Sequence, residues 1–423
     1  TPTDALVAAL VIAWLARATQ AGQLSHLRPQ RPAAADLREW IVTAWRRDAP
    51  RVALVASLLL YLGVVVLSLK VATDRGSVLK EAIKWTEVIV VLAASLWALR
   101  SAAQVRLVAW AAIGAGVADA LIGYAQWAAV SGLAGVDGSL RVFGTFGQPN
   151  PFAGYLNLSL PLALALVLFG TDVRERWLAG AASGVLFGAE WLSASRGGLI
   201  GLAAALAVLL VVGWRRERIA GLVLAVGVPL LAIGLLAHAI PSRLTNTALR
   251  VLRLNDVSVN GPINNATFST MERLAHWIAG LNMFRAHPLL GVGAGNYDAA
   301  YARYATNLAT WPEALGHAHN YYINVAAETG ILGLLAFAAV TVSMVWVGWR
   351  ATHGAGVAGT LEAHGTPNAT QVPIHALALG CFAAIAALLV HNLTDDLFVH
   401  GIDLQVALTL ACLLCLARYR DSG

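Results

Sequence analysis

Charge is what this chain has least of. Asp, Glu, Lys and Arg make up 12% of its 423 residues, while 58% are hydrophobic; an ordinary soluble domain carries about 25% charged residues. That excludes a water-soluble globule. Strict period-two alternation is also missing from the apolar blocks, which excludes a β-barrel and leaves helices as the way to satisfy the backbone in lipid. Cysteine is scarce. Cys412 and Cys415 have CxxC spacing, but among Leu and Ala they read, with Cys381, as packing residues. No internal repeat and no linker between soluble domains is visible, and no GxGxxG follows a strand, so a nucleotide site has little support. There is no signal-peptide cleavage pattern. The chain starts at Thr1, so a missing upstream segment is expected.

What is there is a series of apolar blocks near or above the roughly 18 residues that cross a bilayer. Eleven spans are expected: Asp4–Ala18, Val52–Leu69, Thr86–Leu99, Leu107–Val130, Phe152–Phe169, Trp177–Leu192, Leu199–Gly213, Ile219–His238, Tyr321–Trp349, Ile374–His391 and Ile402–Ala417. A truncated first helix would make twelve. The fold class is therefore an all-α polytopic membrane protein. The net charge of +6 is orientation information. One set of connections holds Arg28 to Arg51, Arg100 and Arg106, Arg174 and Arg176, Arg215 to Arg218, Arg350, and Arg418 and Arg420; these are expected in the cytoplasm. The opposite set faces outward: Ser131–Pro151, Ser193–Gly198, Ala239–His319 and Asn392–Gly401. The connection Lys70–Lys84, with Lys70, Arg75, Lys80 and Lys84, also falls outside and is the one poor fit.

The Ala239–His319 segment is far longer than an ordinary connection, which points to function or structure. The layout expected is N-terminal spans over 1–238, an outer subdomain over 239–319 and C-terminal spans over 320–423, integrated in one membrane domain. Ser269 with Glu272 forms a capping box, predicting a helix from Thr270 to about Ala286 that stops at His287-Pro288. Leu274, Trp277, Ile278, Leu281 and Phe284 give it an apolar stripe at helical spacing, suited to the outer leaflet. Gly291, Gly293 and Gly295 then allow the backbone to approach another group closely.

Several residues here have the chemistry of a site. Arg196, in SASRGGL at a span end, is either a snorkelling partner for Glu190 or a diphosphate clamp, for which a planar guanidinium is suited. Arg273 in the first turn opposes its own helix dipole, so an anion brought there would meet both dipole and guanidinium. His317 and His319 end the long segment, and a histidine accepts a proton near neutral pH. Their HxH spacing also suits a metal, but no Cys and no compact carboxylate set completes such a site in sequence. Glu328 lies too far along the next helix to orient His319. His391, Asp395, Asp396 and His400 form another outward cluster that reads equally as a solvated loop. Gln148 and Asn150, in GTFGQPNPFAGY, offer donors and acceptors for sugar hydroxyls or a helix start.

Taken in order, RVFGTFGQPNPFAGYL, SASRGGLIGL, ERLAHWIAGLNMFRAHPLLGVGAGNY and HAHNYYINVAAETGILGLL resemble the O-antigen ligase/polymerase superfamily over roughly Arg141 to Gly348. The chain length, single long outer loop and short C-terminus look more like an O-antigen ligase (WaaL-type) than a protein O-oligosaccharyltransferase. The resemblance implies a GT-C-like enzyme of the bacterial inner membrane, active on the periplasmic side. It would transfer a polysaccharide from an undecaprenyl-diphosphate-linked donor to a lipid A–core acceptor, with inversion and without ATP, cofactor or metal. It has no role for nucleic acid; its surroundings are the lipid bilayer. The positions matching the family's functional residues are His319, Arg196 and Arg273, with His317, Asn320, Tyr321, Gln148 and Asn150 in supporting roles. Gln148 stands where many relatives have Asn. A polymerase, differing only in its acceptor, and a transporter of lipid-linked saccharides are the alternatives.

Overall fold

A computed structural model describes residues 34–134, 140–213, 268–305, 315–353 and 373–418. Eleven α-helices lie in these segments: α1 (Ala34–Leu67), α2 (Arg75–Ala98), α3 (Ala102–Ala128), α4 (Pro149–Phe169), α5 (Val173–Ser193), α6 (Arg196–Gly213), α7 (Phe268–Ala286), α8 (Tyr297–Tyr304), α9 (Tyr321–Thr352), α10 (Ile374–His391) and α11 (Ile402–Arg418). A ladder of two residues per strand, β1 (Leu133–Ala134) with β2 (Leu140–Arg141), is antiparallel and pairs Leu133 with Arg141.

The chain is an all-α polytopic membrane protein. Six helical stretches are long and apolar enough to cross a bilayer: Asp48–Lys70 at the end of α1, then α3, α4, α6, α9 and α10. Nine of the eleven expected spans fall on described helices; Asp4–Ala18 and Ile219–His238 lie outside the described residues. The helices on expected spans that miss the six have identifiable reasons. α2 begins eleven residues before the expected Thr86 and carries Arg75, Lys80, Glu81 and Lys84 in its first turns; α5 carries Arg174, Glu175, Arg176 and Glu190; α11 has 17 residues. α1 is two helices in sequence, broken at Asp48 (φ −155°, ψ 69°) just before Pro50, as the restriction on a residue near proline would have it.

α10 is buried nearly throughout and packs against α4 and α6, while α9 packs against α1. Small residues set these spacings. A methyl group on Gly380 would come within 2.9 Å of the Leu162 Cα, and one on Gly201 within 2.8 Å of the Ala387 carbonyl. A large apolar cluster unites the spans, with Tyr61, Trp85, Tyr321, Phe337 and Phe398 stacked at centroid distances of 4.7 to 6.1 Å.

A second, smaller cluster holds the segment between α6 and α9. Leu274, Ala275, Ala279 and Met283 of α7 pack with Val292, Tyr297, Tyr301, Ala318 and Ala327. Of the apolar stripe, Leu274 is buried, whereas Trp277, Ile278, Leu281 and Phe284 are only half-buried and so stay partly exposed. The small residues turn inward because α7 lies close to α9, where a methyl on Gly280 would come within 2.8 Å of Ile323. α7 begins at Phe268, so Ser269 falls inside the first turn rather than at the cap.

The glycine-rich loop docks on a break in α9. Gly291, Gly293 and Gly295 have φ of 65°, 105° and 68°, and Gly330 inside α9 has φ 64°. Val292 N–H donates to Ala327 O at 3.0 Å, Gly293 N–H to Glu328 O at 2.9 Å, and Ile331 N–H to Pro288 O at 2.8 Å. The carbonyls and amides freed by the break are thereby paired, as buried backbone groups must be. Buried Glu328 accepts from Gly295 N–H at 2.9 Å and Tyr297 N–H at 3.0 Å, a structural role consistent with its distance from His319 along α9.

Candidate active site

The end of the bundle that carries the histidines is assembled from four stretches far apart in sequence. Asn320 caps α9, its side chain accepting from Ile323 N–H at 3.1 Å, and its amide donates to Leu393 O at 2.9 Å. Tyr321 N–H donates to Asn392 O at 2.9 Å and Asp395 O at 3.2 Å. These bonds fix the HAHNY segment against the α10–α11 connection, and so set Asp395 beside both histidines.

The result is a compact cluster. His319 Nδ1 lies 3.5 Å from Asp395 Oδ1 and His317 Nε2 lies 3.8 Å from it. The His317 and His319 rings are 4.4 Å apart. His317 Nδ1 accepts from His319 N–H at 3.0 Å, which fixes the proton of neutral His317 on Nε2, toward Asp395. His319 itself has φ +50°, a left-handed conformation that costs a non-glycine residue on the order of 1–2 kcal/mol. Its carbonyl accepts from Trp277 Nε1 at 3.3 Å. At 3.5 Å the contact to Asp395 is electrostatic and longer than a well-formed hydrogen bond; both ring nitrogens of His319 are buried with no hydrogen-bond partner among the described residues.

Electrostatics reinforces this arrangement. Burial alone would raise the Asp395 carboxyl, but the close approach of the His319 ring and the charges of His317, His319 and His391 outweigh it and hold Asp395 below the usual carboxylate range. Asp395 is therefore ionised wherever the site works. Burial lowers the His317 ring, with the charges of Asp396 and Asp395 opposing and those of His319 and Arg273 adding. Asp396, next door, is raised by burial against the charge of Lys84. Lys84 pairs with Glu81 at 2.7 Å. The basic Lys70–Lys84 connection, the poor fit in the charge pattern, is thus drawn into the site's surroundings. It is also bonded to the glycine loop: Asp74 N–H donates to Asn296 Oδ1 at 2.7 Å, and Ala294 N–H to Ser68 Oγ at 3.0 Å.

Arg273 is half-buried on α7, and its charge bears on both His317 and His391. One turn on, at i+3 and so on the same face, His276 is almost wholly buried, its ring 5.5 Å from His319 and 4.7 Å from Tyr301. Burial first, then the charges of His319 and His317, push His276 down to about 4. The sequence reading passed over His276; its signal was its spacing from Arg273.

Arg196 is the exposed first residue of α6. A methyl on Gly197 would collide with the His391 ring and the Thr394 hydroxyl, and one on Gly198 with Glu190 and Ala153, so the two glycines of SRGG seat the start of α6 on the end of α10 and against α5 and α4. Of the two readings of Arg196, a pair with Glu190 does not form among the described residues: Glu190 is buried and accepts from Asn157 Nδ2 at 3.3 Å, while Arg196 points to the exterior. His391, behind Gly197, is buried with neither ring nitrogen hydrogen-bonded among the described residues. Gln148 and Asn150 sit one loop away. Asn150 Oδ1 accepts from Arg141 at 3.2 Å, Arg141 donates to Ser193 O at 2.9 Å, and Gln148 is exposed at the start of α4.

His317, His319 and Asp395 also offer three ligand atoms within 4.8 Å of one another. The carboxylate that the sequence could not supply arrives from the α10–α11 connection, so the donor set suits a divalent cation as well as a base held by its carboxylate.

Fold and site together define a polytopic helical membrane protein with an imidazole–carboxylate cluster and flanking arginines at one end of its bundle. Residues 181–338 match the O-Antigen ligase family, and this supports membership of the O-antigen ligase/polymerase superfamily. Members of that family are glycosyltransferase-like enzymes of O-antigen processing, with lipid-linked saccharides as substrates. No curated protein matches the chain. The matched stretch runs from α5 into α9. It includes Arg196, Arg273, His317 and His319 and stops short of His391 and Asp395.

Proposed function

We propose that this protein is an O-antigen ligase, transferring O-antigen polysaccharide from undecaprenyl diphosphate to a sugar hydroxyl of lipid A–core at the periplasmic face of the inner membrane. The observation that carries this reading is His319, a half-buried imidazole with both nitrogens open among the described residues, 3.5 Å from Asp395 and beside His317, which the charge of Arg273 reaches. With the Nδ1 proton turned to Asp395, Nε2 is the base. It takes the proton of the acceptor hydroxyl as that oxygen attacks the anomeric carbon, and the bond from that carbon to the diphosphate oxygen breaks with inversion. Asp395 stabilises the imidazolium that forms. Arg273 and Arg196 stabilise the charge growing on the departing undecaprenyl diphosphate. His317, Asn320 and Tyr321 fix the base; Gln148 and Asn150 lie on the rim where a sugar would pass. The donor carries its own activation, so the reaction needs no nucleotide, and metal independence is what the family resemblance implies. The layout proposed is membrane spans over 1–238 and 320–423, with 239–319 as the outer subdomain.

The test is reconstitution of the purified protein with lipid-linked polysaccharide and lipid A–core. Wild type should produce capped lipopolysaccharide, and His319→Ala should lose at least a hundredfold in turnover while remaining folded. Normal product from His319→Ala would sink the assignment of the base. Transfer to a second undecaprenyl-linked repeat instead of core would make the protein a polymerase, and movement of the donor across a vesicle without transfer would make it a transporter.

A further inference from the structure

A cavity lies at the opposite end of the bundle from the histidines, between α1, α2 and α11. Its volume is about 370 Å³. Leu58, Ile89 and Leu92 among others give it an apolar lining, and three arginines complete that lining: Arg51, Arg100 and Arg418. Each comes from a different element. Arg51 follows the break in α1, Arg100 follows the end of α2, and Arg418 is the last residue of α11.

Arg418 is close enough to Arg51 for their like charges to interact, and Asp48 accepts from Arg51 N–H at 3.4 Å, its charge acting on Arg51 in the opposite sense. Arg100 is held in place, its Nε donating to Trp97 O at 2.6 Å and its guanidinium 6.0 Å from the centre of the Trp97 ring. A rigidly aimed cation cluster over a greasy cleft is the shape of an amphiphile with an anionic head. Ile89 is eleven residues before Arg100, about 16 Å along the helix at 1.5 Å per residue, close to the roughly 15 Å of hydrocarbon in one leaflet. The cleft therefore runs to acyl-chain depth below the arginines. Basic pockets between spanning helices on the cytoplasmic side are suited to anionic lipid heads.

We infer that this cavity binds an anionic glycerophospholipid of the adjacent leaflet, with its phosphate on Arg51, Arg100 and Arg418 and an acyl chain along Leu58, Ile89 and Leu92. This goes beyond the proposed transfer reaction and shares no residue with it, so failure of the ligase reading would leave it standing. The lipid bridges α1, α2 and α11 at this end of the bundle.

The experiment is native mass spectrometry and thermal unfolding of the purified full chain, with phosphatidylglycerol, phosphatidylcholine or inorganic phosphate added separately. Phosphatidylglycerol should be retained at one molecule per chain and raise the melting temperature, whereas phosphatidylcholine and inorganic phosphate should do neither. Combined replacement Arg51→Gln, Arg100→Gln and Arg418→Gln should weaken retention at least tenfold. Ala93→Trp, which fills the apolar part and keeps every arginine, should do the same. If the triple variant does not fold, the three single replacements and Ala93→Trp carry the test. Equal retention of the two lipids by wild type, an equal effect of inorganic phosphate, or undiminished phosphatidylglycerol binding in the folded variants would overturn the proposal.

Discussion

His319 and Asp395 divide the labour in a way that can be separated by experiment. If the carboxylate orients and charges the imidazole, Asp395→Asn should lower kcat by tens- to a thousandfold with little change in KM, and should shift the acidic limb of the pH–rate profile, because the imidazolium loses its ionised neighbour. A purely structural Asp395 would leave the profile in place and lower the yield of folded protein. The competing use of the same atoms is as ligands. Turnover should survive a strong chelator; loss on chelation, restored by a divalent cation, would convert His317, His319 and Asp395 from base and support into a metal site. His276 supplies a test of stability. Its folded value of about 4 lies below the ordinary 6.5, so below pH 6.5 the unfolded chain binds more protons and the folded state loses stability as pH falls toward 4. The loss is on the order of 3 kcal/mol at pH 4, at about 1.4 kcal/mol per pKa unit. Thermal unfolding between pH 7 and pH 4.5 should therefore flatten in His276→Phe; an unchanged slope would show that other groups dominate.

Among the elements, the joint between the glycine loop and the break in α9 does most to place the site, since it fixes the α7–α8 region on the helix whose N-cap, Asn320, follows His319. Gly291→Ala meets two penalties, a positive φ and a methyl driven into the Glu328 backbone. It should cost at least 2 kcal/mol of stability, with loss of transfer activity. Gly147→Ala is the control: φ is +71° but open space surrounds it, so only the conformational cost of about 1 kcal/mol applies. Comparable melting temperatures for the two variants would show that the joint is not under steric control. The joint also marks the limit of the sequence reading. Hydrophobic blocks gave the spans to within a few residues at α4, α6 and α10, because a lipid-embedded helix must be apolar along its length. The glycines announced a close approach, yet nothing local named α9 as the partner. The large apolar stripe of α7 was legible, but not the inward packing of Ala275 and Ala279, because small residues that let helices touch carry no apolar periodicity of their own. His319 and Arg273 were legible as chemistry out of place in apolar surroundings. Asp395 was not, because only tertiary pairing of Asn320 and Tyr321 with the α10–α11 connection brings it 76 positions back to His319.

On the scale of the whole molecule, the described spans alternate consistently between a basic end and a site end. Arg100, Arg106, Arg174, Arg176, Arg350 and Arg418 follow or precede spans at one end, where Arg106 pairs with buried Glu175 at 2.8 Å. The bonds linking Ser68, Asp74, Asn296, Tyr321, Asn392 and Asp395 gather the other end. The positive-inside rule favours the proposed orientation, with the histidines outward, but Lys70, Arg75, Lys80 and Lys84 weigh against it on the site end. The conflict is eased at Lys84, which is matched to Glu81 and whose charge bears on Asp396 and Asp403, so that it belongs to the protein's own network. Single cysteines decide the matter, because Cys381, Cys412 and Cys415 are all buried and give little background. Thr73→Cys lies exposed in the contested connection and Arg174→Cys exposed at the basic end. A membrane-impermeant maleimide added to cells with a permeabilised outer membrane should label Thr73→Cys at once and Arg174→Cys only after the inner membrane is opened. The reverse pattern would put His319 in the cytoplasm and end the periplasmic ligase reading, whereas labelling of both from outside would break the alternation of spans itself.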